Sequence, residues 1–506
     1  MPGTTIRARL AAIPAWSWLL LIAGSLRLIN LGGQSLWYDE TFTAWVVKLP
    51  FKQMMQAIQG DVHPPLFYWI EWVVSGLLGN SEAALRLPSA IFGTIAVILL
   101  WRVALAVKFE ARTAFVAGLI AAVLPGSLYY SQEARMYALL LCALLGALLC
   151  AIEGRWVLYA VCTAVAVYSQ NLGLISVAVL NVAVLIVLAW SERGRGISSI
   201  IKVFSHPVMA MAVVVALWIP WAFVEIKQAS AMAQGFWLTP LTLPSTLEPI
   251  LKLTMGEQTT PSLAFGSYAV ALGMVGVGLW FSRTWLRSRS GALVLSVMIG
   301  VPVVMAIISW LWRSIYLPRA MIGSVYLVAL LWGYVLCHLP RPDRRVAQAV
   351  LIPMLAVTLV ANYFPNQTTR VDWRGRMAEI NAQWTSGDII YYGSINAAIA
   401  VGYYAQGDDY AMRHEAGDLN QSMSPETQAA FGFREVDFDK LALMGYSRAW
   451  LVVGINPLSN VGEINEIHRI LAKYPNKLIK TYSKSALAEE SMYLIDLEVS
   501  NVGITR

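Results

Sequence analysis

Eleven mostly apolar stretches restrict what this chain can fold into: 13–31, 87–107, 113–130, 136–152, 155–170, 172–190, 207–224, 263–282, 291–312, 317–338 and 346–363. A helix needs about 17–25 such residues to cross a bilayer. Backbone groups in hydrocarbon must be satisfied within the segment itself, so runs of this kind become α-helices. Of the 506 residues, 58% are hydrophobic and 13% charged, against about 25% charged in soluble domains. The expectation is an α-helical multi-pass membrane protein with about eleven transmembrane helices.

Segment 66–79 is excluded from that set, because it is short and carries Glu71 at its centre. It reads as a helix lying along the membrane interface. With it excluded, Arg7/Arg9, Lys108/Arg112, Arg155, Arg193/Arg195/Lys202, Arg283/Arg287/Arg289 and Arg341/Arg344/Arg345 all fall on one side. That side is cytoplasmic by the positive-inside rule. The loop 32–86, the loop 225–262 and the tail after 363 then share the outer side. The net charge of +7 resides in these short clusters between apolar spans, which argues against nucleic acid as a partner. Cys142, Cys150, Cys162 and Cys337 all lie in apolar spans without CxxC spacing and carry no disulfide or metal signal. No small-residue cleavage site follows the first apolar stretch, so it reads as a retained helix.

The tail changes character. Asp388-Ile389-Ile390-Tyr391-Tyr392, the stretch Ala449 to Gly454 and Ser491 to Ile495 look like strands, and Glu463 to Leu471 has helical apolar spacing. Two domains are expected: a transmembrane domain over 1–365 and a small outer α/β domain over 366–506.

Polar groups collect on the outer side. Asp39-Glu40 follows Trp37-Tyr38, and Asp61 and His63 precede Pro64-Pro65. A carboxylate there can serve as general base, or it can cap the helix that follows. His63 can meet a phosphate or a metal, or be hydrogen-bonded within the loop. A third cluster holds Tyr130, Glu133, Arg135 and Tyr137, where the charges need a partner or a water-filled cavity. A fourth holds Arg313, Tyr316 and Arg319, with Arg86 and Lys227 as weaker members. Guanidinium matches phosphate bidentately, although arginines at this depth also snorkel.

The strings Asp39-Glu40, His63-Pro64-Pro65-Leu66-Phe67-Tyr68, Leu85-Arg86-Leu87-Pro88-Ser89 and Tyr129 to Leu140 resemble those of the GT-C glycosyltransferases of the protein mannosyltransferase and aminoarabinose transferase type, glycosyltransferase family 39-like. The resemblance is dense over 30–140 and thinner through Tyr316-Leu317-Pro318-Arg319 and Asp372-Trp373-Arg374. It implies a polyprenyl-phosphate-linked sugar donor and transfer on the periplasmic face of a bacterial inner membrane. The acceptor would be a glycan, a lipid or a protein. Asp39 is the expected catalytic base, with Glu40 supporting it. His63, Arg86, Arg135, Arg313 and Arg319 are expected at the donor phosphate. Trp37, Tyr38, Asp61, Tyr68, Tyr130, Glu133, Tyr137 and Tyr316 are expected to line the substrate. Aminoarabinose transferases carry a lysine where this chain has His63. No cofactor is required and no metal ligand set stands out, although a divalent metal serves some relatives. A single displacement at the anomeric carbon, inverting its configuration, fits this arrangement. A competing reading is a polytopic lipid or glycan transporter, which would normally show paired halves and polar residues at mid-membrane.

Overall fold

The structure is a computed structural model and describes residues 14–193, 197–232, 240–242, 244–256, 261–363, 371–392, 395–405, 410–412, 425–431, 436–455, 461–484 and 489–497. Arg7, Arg9 and Arg195, used in the topology count, lie outside the described residues.

Each expected span holds a helix. Among the described residues, six helical segments are individually long and apolar enough to cross a membrane: Glu82–Ala106 (α5), Gly173–Ser191 (α10), Ile200–Ser230 within Ile197–Met232 (α11), Arg289–Leu311 (α14), Pro318–His338 (ending in α15, Val328–His338) and Arg341–Tyr363 (α16). Four shorter apolar stretches fill other expected spans: Ala15–Leu28 (α1), Tyr137–Glu153 (α8), Trp156–Ser169 (α9) and Leu272–Phe281 within Pro261–Phe281 (α13). The expected span 113–130 is broken into Ala111–Val123 (α6) and Pro125–Ser131 (α7), bent by 57°. Pro125 causes the break, because it has no N–H to give and its ring crowds the carbonyl one turn back. That carbonyl, Ala121 O, accepts from Tyr326 Oη at 2.9 Å instead. The next one, Ala122 O, accepts from Arg27 Nη1 at 3.2 Å. Both freed acceptors are thus satisfied inside the bundle, and the bend is fixed.

The first loop folds into three short helices, Tyr38–Lys48 (α2), Phe51–Gln59 (α3) and Leu66–Leu78 (α4). α4 occupies the segment read as interfacial. The loop after α11 holds the helix Glu248–Met255 (α12).

The tail forms a five-stranded sheet of order β2-β1-β3-β5-β4, with β1 Asp388–Tyr392, β2 Tyr410–Met412, β3 Arg448–Ile455, β4 Asn476–Lys484 and β5 Glu489–Asp496. β1 pairs in parallel with β2 and β3, and the β3-β5-β4 half is antiparallel. Every residue of β1 is buried, as a central parallel strand requires. Apolar residues cover both faces. Ile390, Trp450 and Met492 pack with Trp373 and Met377 of α17 (Trp373–Asn381), while Ile389, Leu451 and Ile495 pack with Ile467 and Ile470 of α19 (Val461–Lys473). Between β1 and β2 runs α18, Ile395–Tyr404. The three strands and the helix read from the sequence are present. β2 is very short and β4 is a lysine-rich edge, a composition that protects an edge strand and disguises it.

Candidate active site

The site grows from the N-terminal turn of α2. Glu40 occupies the third helical position, and its Oε2 accepts from Trp37 N at 3.2 Å. The same carboxylate accepts from Arg86 Nε and Nη2, each at 2.7 Å, and from Ala134 N at 2.9 Å. Arg86 gives its remaining N–H groups to Leu31 O, Gln34 O and Ser35 O at 3.0, 2.8 and 3.0 Å. A guanidinium has five N–H donors, and all five of these point inward. Arg86 therefore has none left for a phosphate, which corrects the expectation that it binds the donor. Glu40 is likewise sealed from solvent at 0% exposure and holds the loop rather than a substrate. The pair fixes α2 to α5 and to the turn before α8.

Asp39, one residue earlier, faces a different way. Its Oδ2 accepts from Arg319 Nη1 at 3.0 Å, and both side chains stay partly open. Arg319 also lies over the Tyr137 ring, 5.7 Å from its centroid. Arg319, though not Asp39 itself, lines a cavity of about 280 Å³ whose walls also include Trp37, Tyr130, Glu133 and Tyr316. Arg313 is not among the residues lining that cavity.

Arg135 closes the far side. Its Nη1 donates to Asp39 O, Thr43 Oγ1 and Tyr68 Oη, each at 3.2 Å. Tyr68 Oη in turn donates to Asp61 Oδ2 at 3.0 Å. Arg135 is thus tied to the main chain of Asp39 and orders that residue and the Asp61 turn together. Burial pushes the Asp61 carboxyl above its usual range, with Arg135 opposing the rise. Burial also pushes Tyr38 upward, with Asp39 adding to it, so this phenol stays protonated near neutrality. His63 is pushed well below the usual imidazole range by burial, then by Arg135 and Arg319. It is accordingly a neutral ring at pH 7, and its Nδ1 has no hydrogen-bond partner among the described residues. It adds no cation to the site; it offers a ring nitrogen.

The bend at Pro125 aims the third cluster. Arg27 of α1 donates to Ser127 Oγ at 2.9 Å and Ser131 Oγ at 3.1 Å. Gln132 Nε2 donates to Arg27 O and Ile29 O at 3.2 and 3.0 Å, covering carbonyls left open at the end of α1. Gly93 of α5 leaves room for this clamp, since a Cβ there would lie 1.9 Å from Ser131 Oγ. The string Tyr129 to Tyr137 is therefore a hub. Ser131 and Gln132 lock onto α1, Ala134 meets Glu40, Arg135 reaches Asp39, and Tyr130 and Glu133 face the cavity.

Sequence reasoning missed α12. Glu248 and Lys252, paired at 2.8 Å, line the same cavity. Gly126 brings them there, because a Cβ at Gly126 would meet the Leu253 backbone at 2.7 Å. The i, i+4 spacing of Glu248 and Lys252 was a readable helix signal within a loop otherwise passed over. Also missed was Asn171, whose Nδ2 donates to Val62 O at 2.8 Å beside His63. Among the described residues, no group of three or more His, Cys, Asp or Glu side chains is placed to hold a metal ion.

A bundle of apolar helices, a first loop of short helices carrying Asp39, and a C-terminal sheet domain together make this a polytopic membrane protein of the GT-C fold. A family model described as dolichyl-phosphate-mannose-protein mannosyltransferase matches residues 62–222. The structure is similar to ArnT from Cupriavidus metallidurans in the apo state, with a TM-score of 0.62 and 14% identity over 97% of this chain and 99% of that one. It is also similar to the same protein bound to undecaprenyl phosphate, with a TM-score of 0.58 and 14% identity over 95% and 98% of the two chains. No curated protein matches the sequence. At 14% identity the likeness establishes the fold.

Proposed function

We propose that this protein is a membrane glycosyltransferase that moves a sugar from a polyprenyl-phosphate-sugar donor to an acceptor at the periplasmic face of a bacterial inner membrane. The observation that carries the reading is the Asp39–Arg319 pair, 3.0 Å apart beside a cavity of about 280 Å³. It joins a carboxylate able to take a proton to a cation able to hold a leaving phosphate. The family model over 62–222 and the undecaprenyl phosphate bound by a protein of like fold support the same donor class.

The chemistry is one displacement. An acceptor hydroxyl or amine attacks the anomeric carbon and gives its proton to Asp39. The bond from the anomeric carbon to the phosphate oxygen breaks, and the electron pair leaves with polyprenyl phosphate. Arg319 and Lys252 stabilise the charge that grows on that phosphate. Attack opposite the leaving group inverts the anomeric configuration. Trp37, Tyr130 and Tyr316 supply flat apolar surface for the sugar or the first isoprene units. Arg135 and Tyr68 hold the main chain of Asp39 and the Asp61 turn in register. A site at the membrane boundary lets the isoprenoid stay in lipid while the sugar reaches water. We assign the catalytic domain to 1–365 and an accessory domain to 366–506.

The test is mass spectrometry of cell-envelope glycans and glycoproteins from cells with the gene, without it, and with Asp39→Asn. One sugar modification should vanish in both altered strains while the variant accumulates in the membrane normally. Identical glycans in all three strains would sink the assignment.

A further inference from the structure

We propose that the C-terminal domain holds the Asp39 helix in its working position, and that Tyr404 is the positioning residue at its leading end. The proposal rests on the reading of Asp39 as the base. α2 is 11 residues long, too short to be stable in isolation, so its placement is set by what grips it. The membrane domain grips it through the Glu40–Arg86 pair, through Ala134 N on Glu40, and through Arg135 on Asp39 O and Thr43 Oγ1. The tail adds grips on either side of Asp39.

Tyr404 Oη accepts from Leu36 N at 2.7 Å and donates to Glu82 Oε1 at 3.1 Å. Leu36 is fully buried and lies three residues before Asp39. Deleting the hydroxyl would leave a buried N–H without its acceptor at the point where the chain turns into α2. On the other side of Asp39, Trp45 Nε1 donates to Ile399 O of α18 at 3.0 Å. The Trp45 ring stacks on Phe431, with centroids 5.4 Å apart at 24°. Further back, Ser35 Oγ donates to Val371 O at 2.9 Å and accepts from Trp373 N at 3.1 Å. The domain therefore holds the chain before and after Asp39 while touching neither Asp39 nor Arg319 through these bonds. Further contacts of the domain fall on Gly32 and Gly33, just before α2, and on Asn80 and Glu82, at the start of the helix that carries Arg86. The grip therefore gathers around the entry to α2 and the helix α2 is pinned to, which is where a positioning device has to act.

The experiment uses the full chain in lipid nanodiscs, with Tyr404→Phe and, as a second variant, Trp45→Phe. Hydrogen exchange is followed in peptides covering 36–48 and, as internal controls, in β1 and β3. Tyr404→Phe should speed exchange over 36–41 by about tenfold, the scale of one lost buried hydrogen bond. β1 and β3 should stay unchanged. Trp45→Phe should do the same over 42–48. In a transfer assay kcat should fall by about tenfold while the donor KM holds. Unchanged exchange over 36–48, or an equal rise in β1 and β3, overturns the proposal. So does a raised donor KM at constant kcat. A wild-type protein that transfers no sugar defeats the proposed function, and the exchange result still decides whether the domain holds α2.

Discussion

Arg86 and Glu40 meet in a two-pronged ion pair, both contacts at 2.7 Å, with 1% and 0% of the two residues exposed. Removing one partner of a buried pair strands the other charge, at a cost of about 3–5 kcal/mol. Arg86→Ala also abandons the carbonyls of Leu31, Gln34 and Ser35. It should fail to accumulate or should melt well below the wild type in a detergent thermal-shift assay. Glu40→Gln should be destabilising in the same sense. A stable Arg86→Ala protein that merely lost undecaprenyl phosphate binding would restore the donor role that the geometry removes.

Asp39→Asn is nearly isosteric and keeps an acceptor oxygen for Arg319. It should keep the fold and the binding of undecaprenyl phosphate while sugar transfer drops by about 10²–10⁴, the usual contribution of a general base. Transfer within a few-fold of wild type would mean that another group takes the acceptor proton.

Arg319 and Lys252 line one cavity from segments far apart in the chain. If both hold the leaving phosphate, each alanine variant loses a charge-assisted hydrogen bond, about 1.5–3 kcal/mol or roughly 10–100-fold. The loss should appear in undecaprenyl phosphate affinity measured by calorimetry, and binding should weaken as salt rises. Lys252→Ala with unaltered affinity would leave the lysine as a partner of Glu248 alone.

The sequence made some of this site legible and hid the rest for identifiable reasons. Asp39, Tyr130, Glu133, Tyr316 and Arg319 stood out because charged and aromatic residues at the end of an apolar span need a reason to be there. The three central strands were visible because β1, β3 and β5 are apolar runs bounded by polar turns. Glu40 and Arg86 were given the wrong task, because a carboxylate beside a catalytic candidate looks the same whether it faces a substrate or a buried guanidinium 46 positions away. α12 was passed over because its role depends on Gly126 allowing a close approach, which no local pattern encodes. The bend at Pro125 was signalled by the proline, but its partners Arg27 and Tyr326 come from distant helices.

Glu71 gives the protein a pH dependence of known sign. It is fully buried on α4, and among the described residues neither carboxylate oxygen has a hydrogen-bond partner. Burial, then the charge on Glu40, raises it well above the usual 4.5. The folded state thus keeps a proton that the unfolded chain releases above about pH 4.5. Its contribution is fully present below that value and is lost as pH rises through the raised folded-state value. Glu71→Gln removes the ionisable group and keeps the shape. Thermal melts of both proteins from pH 5 to pH 9 should therefore diverge, with the variant gaining most at the alkaline end. Parallel curves would show that Glu71 is ionised in the fold.

The turn that carries Asp61 and His63 hangs on two amides. Asn171 Nδ2 donates to Val62 O at 2.8 Å and to Gln228 Oε1 at 3.2 Å, and Gln228 Nε2 donates to Ile58 O at 3.1 Å. These side chains come from the α9–α10 junction and from α11, so two distant helical segments fix one loop. Asn171→Ala removes the donor to Val62 O and weakens the brace on Gln228. About 1 kcal/mol per bond is at stake. Exchange over 58–64 should rise by roughly five- to tenfold, and transfer should fall in step because the turn that presents Asp61 to Tyr68 loses its brace. Gln228→Ala should reproduce the effect, and the double variant should cost less than the sum, since both residues act through one network. If Asn171→Ala abolished transfer while exchange over 58–64 stayed at the wild-type rate, Asn171 would be touching the substrate itself rather than bracing the turn.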